Sequence, residues 1–205
     1  MNRRLDTDAA VEALTRGEVV ALATDTVYGL AASLEHRGAI EAIFSLKRRP
    51  ATLALPVLVQ GVEQIERLGV TWSARASALA SAFWPGPLTI VVAVPTTLAR
   101  RLGAADGTVG FRRPDSGPLA QLLARTGPLA VTSANVHAQP ACTSAAQVLE
   151  VFAERPDLAG VLDGGACDRS ASTVVDVASR EWRLLREGAI DRAALASVLG
   201  ETTPV

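Results

Sequence analysis

The sequence predicts an α/β (or α+β) fold in which helices flank a single twisted, mixed β-sheet. Short apolar runs alternate along the chain with amphipathic stretches, which is typical of strands and helices packed in layers. No internal repeat, low-complexity tract or linker divides the 205 residues, and a chain of this length fits one domain. We therefore predict one domain over residues 1–205, with a motif-bearing core at about 19–190 and a tail at 201–205.

Strands are predicted where β-branched and apolar residues form short runs between polar residues, glycines or prolines. These runs lie at 19–23, 55–59, 88–94, 109–111, 129–132, around 161, 173–177 and 182–185. Pro56 has no N–H to donate to a neighbouring strand, so it should lie at the start of its strand or on an edge.

Helices are predicted where apolar residues recur at helical spacing between a capping residue and a glycine or proline. They lie at 7–17, 38–45, 73–83, 118–125, 144–152 and 191–200. Thr7 or Asp8 should cap the first helix, and Asp191 should cap the last. Ser144 and Gln147, three residues apart, should form a capping box.

The composition argues against several classes of protein. With 49% hydrophobic and 20% charged residues, the chain should fold. A net charge of −1 argues against a globally basic nucleic-acid binder, so any anion site must be local. Cys142 and Cys167 have no metal-binding or disulfide-framework spacing, and we expect no metal site. Without a signal peptide or an apolar run of about 20 residues, we predict a soluble cytoplasmic protein without membrane contact.

Lys47 is the one lysine among 20 basic residues. In the run Lys47-Arg48-Arg49-Pro50 it ends a predicted helix, where a cation also favours the helix dipole by about 0.3–1 kcal/mol. Arginine would serve the dipole equally well, and this chain uses arginine everywhere else. Lysine is a compact point charge that suits a phosphate or a transferring carboxyl group. The single lysine therefore indicates an anion site.

Other polar clusters lie next to predicted strands. Thr24–Leu30 holds two hydroxyls, a carboxylate and the chain's one tyrosine, Tyr28. Arg112 and Arg113 end a strand on opposite faces. Thr132–Asn135 follows another strand, a place where open sheets often hold ligands. Taken alone, Thr24–Leu30 fits a turn in which Thr and Asp bond their own backbone slightly better than a binding site, and Thr132–Asn135 fits a loop with such turns equally well.

Together and in order, these segments resemble the threonylcarbamoyl-AMP synthase family, whose domain is called YrdC-like. The matching motifs run over most of the chain: TDTVYGL, KRRP, LPVLV, WPGPLTIVV, GTVGFRRP, TSAN, STVVDV and LLREG. No single motif is specific, but eight at similar spacing are. The resemblance is to the family's short form, and it implies a sheet with helices around a positively lined concave cleft.

The resemblance also implies a reaction and its partners. L-threonine, bicarbonate or CO2, and ATP with Mg²⁺ would give threonylcarbamoyl-AMP and pyrophosphate. Downstream transferase proteins would then modify adenosine 37 of tRNA, which the chain itself could contact. All three substrates are anionic, so clustered cations and hydrogen-bond donors are required where they meet.

The implied site residues carry over from the matching motifs. Lys47 and Arg49 would act in catalysis and on phosphates. L-threonine would be held by Thr26, Tyr28, Arg112, Ser133 and Ser172. ATP would also contact Thr108, Asn135, Thr143 and Arg186. The resemblance implies no protein-bound metal.

Two segments depart from the family pattern. Leu53-Ala54 replaces a polar residue, often asparagine, followed by proline. His137-Ala138 replaces Ser-Gly after the TSAN motif, where glycine often permits a backbone angle that alanine resists. These changes leave two alternatives to the synthase: an RNA-binding module that uses the same cleft, and a diverged paralogue with altered or lost adenylate-forming activity.

Overall fold

A computed structural model describes residues 3–48, 54–167 and 171–200. Within those ranges, ten strands form one mixed sheet in the order β1-β8-β2-β3-β7-β4-β6-β5-β9-β10, flanked by eight helices. This architecture confirms the predicted fold class. The predicted tail at 201–205 lies outside the described residues.

The strands are short, as the spacing of turn residues predicted. They are β1 (Arg4–Leu5), β2 (Val19–Ala23), β3 (Tyr28–Ser33), β4 (Val57–Leu58), β5 (Leu88–Ala93), β6 (Thr108–Arg112), β7 (Leu129–Ser133), β8 (Leu158–Leu162), β9 (Thr173–Asp176) and β10 (Arg183–Arg186). Four of the neighbouring pairs are parallel (β1 with β8, β8 with β2, β4 with β6, and β5 with β9) and the others are antiparallel.

The helices lie on both faces of this sheet. They are α1 (Thr7–Thr15), α2 (Arg37–Lys47), α3 (Val62–Arg67), α4 (Ala74–Phe83), α5 (Thr96–Leu102), α6 (Gly117–Thr126), α7 (Ala145–Val151) and α8 (Arg192–Leu199). Among the described residues, no helix is long and apolar enough to cross a membrane.

One face of the sheet carries the larger core. Alternation along β5 sends Leu88, Ile90 and Val92 into it, together with apolar residues of α2, α4, α5, α7 and α8. On the opposite face, α1 and α6 form a smaller core over β2, β3, β4 and β7. No buried residue of that smaller core comes from β5, β6, β9 or β10. Neither α1 nor α6 therefore covers the second face of these four strands, and we refer to this face as the floor of the cleft.

Polar and small residues line this floor. Thr89 of β5 lies between the core residues Leu88 and Ile90, and Arg112 of β6 follows the core residue Phe111, so both face the cleft. Gly110 lies on the same face of β6, two residues before Arg112, and a Cβ there would come 2.7 Å from Thr89 Cγ2. Glycine is thus required where the two strands approach on the cleft side.

Several capping predictions are confirmed, and one is wrong. The Ser144 side chain accepts from Gln147 N, and that of Asp191 accepts from Ala194 N. The first helix is capped by Asp6, whose Oδ1 accepts from the backbone N–H three residues later, and not by Thr7 or Asp8. Asp6 suits this position because its backbone is extended (ψ 178°), whereas the following residues already belong to the helix.

Candidate active site

Arg112 lies buried at the end of β6 and reaches the turn between β2 and β3. Its Nε donates to the Gly86 carbonyl at 3.0 Å, and its Nη1 donates to Thr26 Oγ1 at 3.1 Å. Its Nη2 forms an ion pair with Asp25 Oδ1. In the sheet order β3 and β6 are three strands apart, about 14 Å at ordinary strand spacing. The contact therefore reaches past β4 and β7 and joins β6, at the cleft floor, to the β2–β3 turn.

Arg186 and Ser172 form a second set at the start of β9. The guanidinium donates from Nε to the Ser172 carbonyl at 2.9 Å and from Nη2 to Ser172 Oγ at 3.0 Å. Ser172 Oγ also lies 3.0 Å from Thr89 Oγ1. Burial, and secondarily the positive charge of Arg112, lower the pKa of Arg186. Burial also lowers the pKa of Arg112, although Asp25 opposes that change. An anion bound between the two guanidinium groups would relieve this cost.

Lys47 forms the third set with residues that follow β7. Its side chain is buried (2% exposed), and Nζ donates to the carbonyls of Ser133 at 2.6 Å and Asn135 at 2.9 Å. Asn135 Oδ1 accepts from Nζ at 2.8 Å and from Ser133 Oγ at 2.6 Å. The ammonium thus holds the 133–135 segment in place, and the strand-end position predicted for these polar residues is confirmed.

The first and third sets meet at the β2–β3 turn. Gly29 pairs with Ser133 in the β3–β7 ladder, three residues after Thr26. Ala134 N donates to the Tyr28 carbonyl at 2.7 Å, which ties the two segments together. The chain therefore brings Thr26, Ser133 and Arg112 to one region of the cleft, as the resemblance implied.

Tyr28 supports the cleft from behind. Its side chain is fully buried, and its hydroxyl lies 2.9 Å from Asp163 Oδ1 and 2.7 Å from the Gly165 carbonyl. Burial and the Asp163 carboxylate raise the pKa of Tyr28 to about 12. The structure thus gives Tyr28 the role of holding the segment after β8, and its contact with L-threonine stays a prediction.

Two other predicted site residues, Thr108 and Thr143, belong to none of these three sets. Thr108 begins β6 on the cleft face, four residues before Arg112. Thr143 precedes α7, where its Oγ1 and its backbone N donate to Gln147 Oε1. The Gln147 side chain therefore caps one residue earlier than a capping box requires. Arg49 lies outside the described residues.

The segment after Asn135 keeps a backbone angle that favours glycine at the position where alanine departs from the family pattern. Ala138 adopts a φ of +65°, the left-handed region that glycine enters without steric cost. The backbone N of His137 donates to the Lys47 carbonyl at 2.8 Å, which holds the segment beside α2. In the other departing segment, Leu53 lies outside the described residues and Ala54 packs against the larger core.

The sequence analysis did not assign three residues a place in the site: Asp25 and Thr89, which belong to these sets, and Asp163, which bonds the Tyr28 hydroxyl. Asp25 stood within the TDTVYGL motif as its one carboxylate, and Thr89 stood in a strong strand pattern. Asp163 precedes a Gly-Gly pair after β8, a turn signal that pointed to a loop and not to a partner for Tyr28. Among the described residues there is no group of three or more His, Cys, Asp and Glu that could hold a metal.

Comparison with known proteins follows the same motifs. Residues 12–188 match the Sua5/YciO/YrdC family model, which carries the description telomere recombination. A Mycobacterium leprae protein, provisionally named threonylcarbamoyl-AMP synthase, is 41% identical over 94% of this chain and 87% of its own length. The threonylcarbamoyl-AMP synthase of Bacillus subtilis is 36% identical over 93% of this chain.

Solved structures give the same result for the fold. Sua5 of Pyrococcus abyssi complexed with L-threonine has a TM-score of 0.87 and 33% identity over 98% of this chain. YciO of Escherichia coli, at 22% identity and a TM-score of 0.82, shares the fold. The chain spans 56% of the Bacillus subtilis protein and 60% of that Sua5 chain.

Proposed function

We propose that this chain, which belongs to the Sua5/YciO/YrdC family, is a threonylcarbamoyl-AMP synthase. It joins L-threonine, bicarbonate or CO2, and ATP into threonylcarbamoyl-AMP and pyrophosphate. The observation that carries the proposal is the buried Arg112 guanidinium, which donates to Thr26 and lies on the strand next to Thr89. The Thr89 hydroxyl is 3.0 Å from Ser172 Oγ, which accepts from a second guanidinium, that of Arg186. Relatives named for this activity match over more than nine-tenths of the chain.

The proposed chemistry brings three anions together. The amino group of threonine, in its deprotonated form, attacks the carbon of CO2 with loss of a proton, or that of bicarbonate with loss of water, and forms a carbamate. A carbamate oxygen then attacks the α-phosphorus of ATP, and pyrophosphate leaves. Arg112 and Arg186 neutralise charge as the groups meet, because positioned cations stabilise such transfers in a desolvated site.

The remaining contacts are assigned from the family motifs. Ser133 and Ser172 contact threonine, and Thr108, Asn135 and Thr143 contact ATP. Lys47 and Arg49 contact phosphates or the carbonate-derived group. Since Nζ of Lys47 already meets three oxygens, it exchanges one of them for a substrate oxygen when the cleft fills.

Mg²⁺ enters this proposal with the triphosphate. In the cleft, the one carboxylate among the described sets is that of Asp25, and it is already paired with Arg112. These residues therefore fit a Mg²⁺ ion held mainly by phosphate oxygens and water, which is how Mg²⁺ usually binds with nucleotides. Its contribution would be to neutralise the departing pyrophosphate.

The product passes to other proteins in this proposal. A threonylcarbamoyl transferase takes the adenylate and modifies tRNA at adenosine 37. The compartment is then one that holds tRNA, and we propose the cytoplasm. Direct contact of this chain with tRNA is part of the same proposal.

The decisive experiment is mass spectrometry of the reaction products. Purified protein is incubated with ATP, Mg²⁺, bicarbonate and L-threonine, beside the variants Lys47→Arg and Arg37→Lys. We expect threonine-dependent threonylcarbamoyl-AMP and pyrophosphate from the wild type. Lys47→Arg should lose most of the product, because a planar guanidinium cannot replace one nitrogen that meets three converging oxygens.

The exposed Arg37 lies on the surface of α2 and controls for lysine–arginine exchange as such. Its variant should match the wild type. If well-folded wild type binds ATP but yields no threonine-dependent product, the synthase proposal is wrong. An adenylate formed without threonine would identify a paralogue that uses another substrate.

A further inference from the structure

One buried carboxylate oxygen in the cleft lacks a hydrogen-bond donor. The side chain of Asp25 is 1% exposed, and its Oδ1 is paired with Arg112. Its Oδ2 is also buried and has no hydrogen-bond partner among the described residues. Buried polar atoms in native proteins are nearly always hydrogen-bonded, because a missing bond leaves the full cost of desolvation. Such an oxygen indicates a donor that arrives with a ligand.

The charges around Asp25 restrict what that ligand can be. Arg186 Nη2 donates to Ser172 Oγ, which lies 3.0 Å from Thr89 Oγ1 on the strand next to Arg112. Two guanidinium groups therefore serve this region, and it carries excess positive charge. A simple anion would suit the arginines but would be repelled by Asp25 Oδ2. A simple cation would suit Oδ2 but would be repelled by the guanidinium groups.

A zwitterion satisfies both requirements. In an α-amino acid the ammonium and the carboxylate are attached to the same carbon, so one small molecule can meet a carboxylate and a guanidinium that are already paired. Thr26 and Ser172 add hydroxyls beside each arginine, where a polar side chain of the ligand could bond. The arrangement therefore fits a hydroxylated amino acid better than a nucleotide phosphate.

We propose that Asp25 recognises the amino group of the amino-acid substrate, with Oδ2 accepting a hydrogen bond from the substrate ammonium. This inference rests on the proposed function and assigns a residue to one part of its substrate. Asp25 holds the nitrogen, which attacks the carbon of bicarbonate or CO2 after the ammonium has lost a proton to solvent. Arg112 uses three of its five N–H groups on Gly86, Thr26 and Asp25, and the other two meet the carboxylate. It is a substrate-binding residue and also positions Arg112.

The test compares two ligands with and without the carboxylate of Asp25. Calorimetry measures the binding of L-threonine and of 2,3-dihydroxybutanoate, the analogue in which a hydroxyl replaces the amino group. Wild type should prefer threonine by about tenfold to a hundredfold, the effect of one hydrogen bond between charged groups. Asp25→Asn should weaken threonine binding by a similar factor and leave the analogue nearly unchanged or tighter, so that the preference disappears.

A matched variant separates recognition from stability. Asp176 is another buried aspartate paired with an arginine, Arg183, on β9 and β10. Asp176→Asn should lower the melting temperature but keep the preference for threonine over its analogue. A purely structural role for Asp25 would weaken both ligands equally, and that result would overturn the inference.

A pH titration of the wild type keeps the inference testable if Asp25→Asn does not fold. The threonine affinity of wild type should fall as the pH rises above the pKa of the free amino acid's ammonium. An affinity that stays constant through that titration would overturn the inference. If wild type binds threonine but Asp25→Asn keeps its preference, the inference alone fails. If wild type binds no threonine, the proposed function fails and takes the inference with it.

Discussion

At the scale of the residue, the basic side chains divide by the geometry of the oxygens they meet. The Arg3 guanidinium donates to four backbone carbonyls between residues 152 and 158, at 2.8–3.1 Å. Such spread acceptors suit a planar group with five N–H donors. Lys47 meets three oxygens that converge on one atom, which suits an ammonium. The chain's preference for arginine is thus partly structural, and its one lysine stands where arginine geometry fails.

Ala138 supports a prediction about local strain. Its φ of +65° costs an alanine about 1–2 kcal/mol relative to the right-handed region, and glycine avoids that cost. Glycine also loses about 0.5–1 kcal/mol more backbone entropy on folding. We therefore expect Ala138→Gly to leave the free energy of unfolding unchanged or to raise it by up to about 1.5 kcal/mol, measured by urea denaturation.

The control for Ala138 is an alanine in ordinary helical backbone. Ala78 is exposed in the middle of α4, where glycine costs about 1 kcal/mol. Ala78→Gly should therefore destabilise the protein. If Ala138→Gly loses as much stability as the control, the strain at residue 138 is not real.

At the scale of the element, the contact of Tyr28 with the segment after β8 has a pH signature. Its pKa is raised to about 12, above the value of about 10 for a free phenol, so folding favours the protonated form. The stability it contributes is fully present below about pH 10 and is lost as the pH rises towards 12. As Tyr28 is the chain's only tyrosine, phenolate absorbance reports it alone.

We expect the absorbance of the folded protein to titrate near pH 12 and that of the denatured protein near pH 10. Tyr28→Phe should be less stable at neutral pH by about 1–2 kcal/mol, because Asp163 and Gly165 lose a buried hydrogen-bond partner. It should also lose less stability than wild type between pH 10 and 12. A folded-state titration near 10 would show that the hydroxyl reaches solvent.

Elements also show what the sequence could and could not predict. Strand β2 and helix α4 were predicted almost to the residue, because their apolar periodicity and flanking signals agree. No strand was predicted over β3, since its Gly-Leu-Ala-Ala run has little β-propensity. Pairing with β2 and β7 makes it a strand. Helix α5 follows Pro95 without a side-chain cap, so it gave no start signal.

The candidate site also contains residues that the sequence predicted and one that it did not. Motif resemblance found residues of all three sets, because hydroxyl, amide and basic side chains cluster next to strands. It did not assign Asp25, whose partner Arg112 lies 87 residues later in the chain. A contact across the sheet at such separation depends on strand order, and single-sequence periodicity does not predict strand order.

At the scale of the whole molecule, the positive charge that could bind substrate is local to the cleft and is not spread over the surface. The net charge is −1, so the chain offers no general attraction to polyanions. Several arginines are also committed to backbone carbonyls, as Arg3 and Arg75 are. An RNA-binding module would need its basic groups on an exposed face, whereas Arg112 and Lys47 are buried in the cleft. The distribution therefore favours small anionic substrates.

The cleft joins distant parts of the sheet, so its ligands should stabilise the whole fold. At one hundred times its dissociation constant, a ligand that binds the native state adds about 2.7 kcal/mol. For a chain of this length, that raises the melting temperature by about 5–10 °C. We expect L-threonine to produce such a rise in differential scanning fluorimetry, and ATP with Mg²⁺ to add to it.

The specificity of that rise tests the site assignment. D-threonine has the same charges but the opposite arrangement around its α-carbon, so it cannot place ammonium, carboxylate and hydroxyl on Asp25, Arg112 and Thr26 together. It should therefore shift the melting temperature much less. Arg112→Lys should lose most of the threonine-dependent rise, because lysine cannot keep the Asp25, Thr26 and Gly86 contacts at once. Equal shifts from both enantiomers would mean that threonine binds elsewhere.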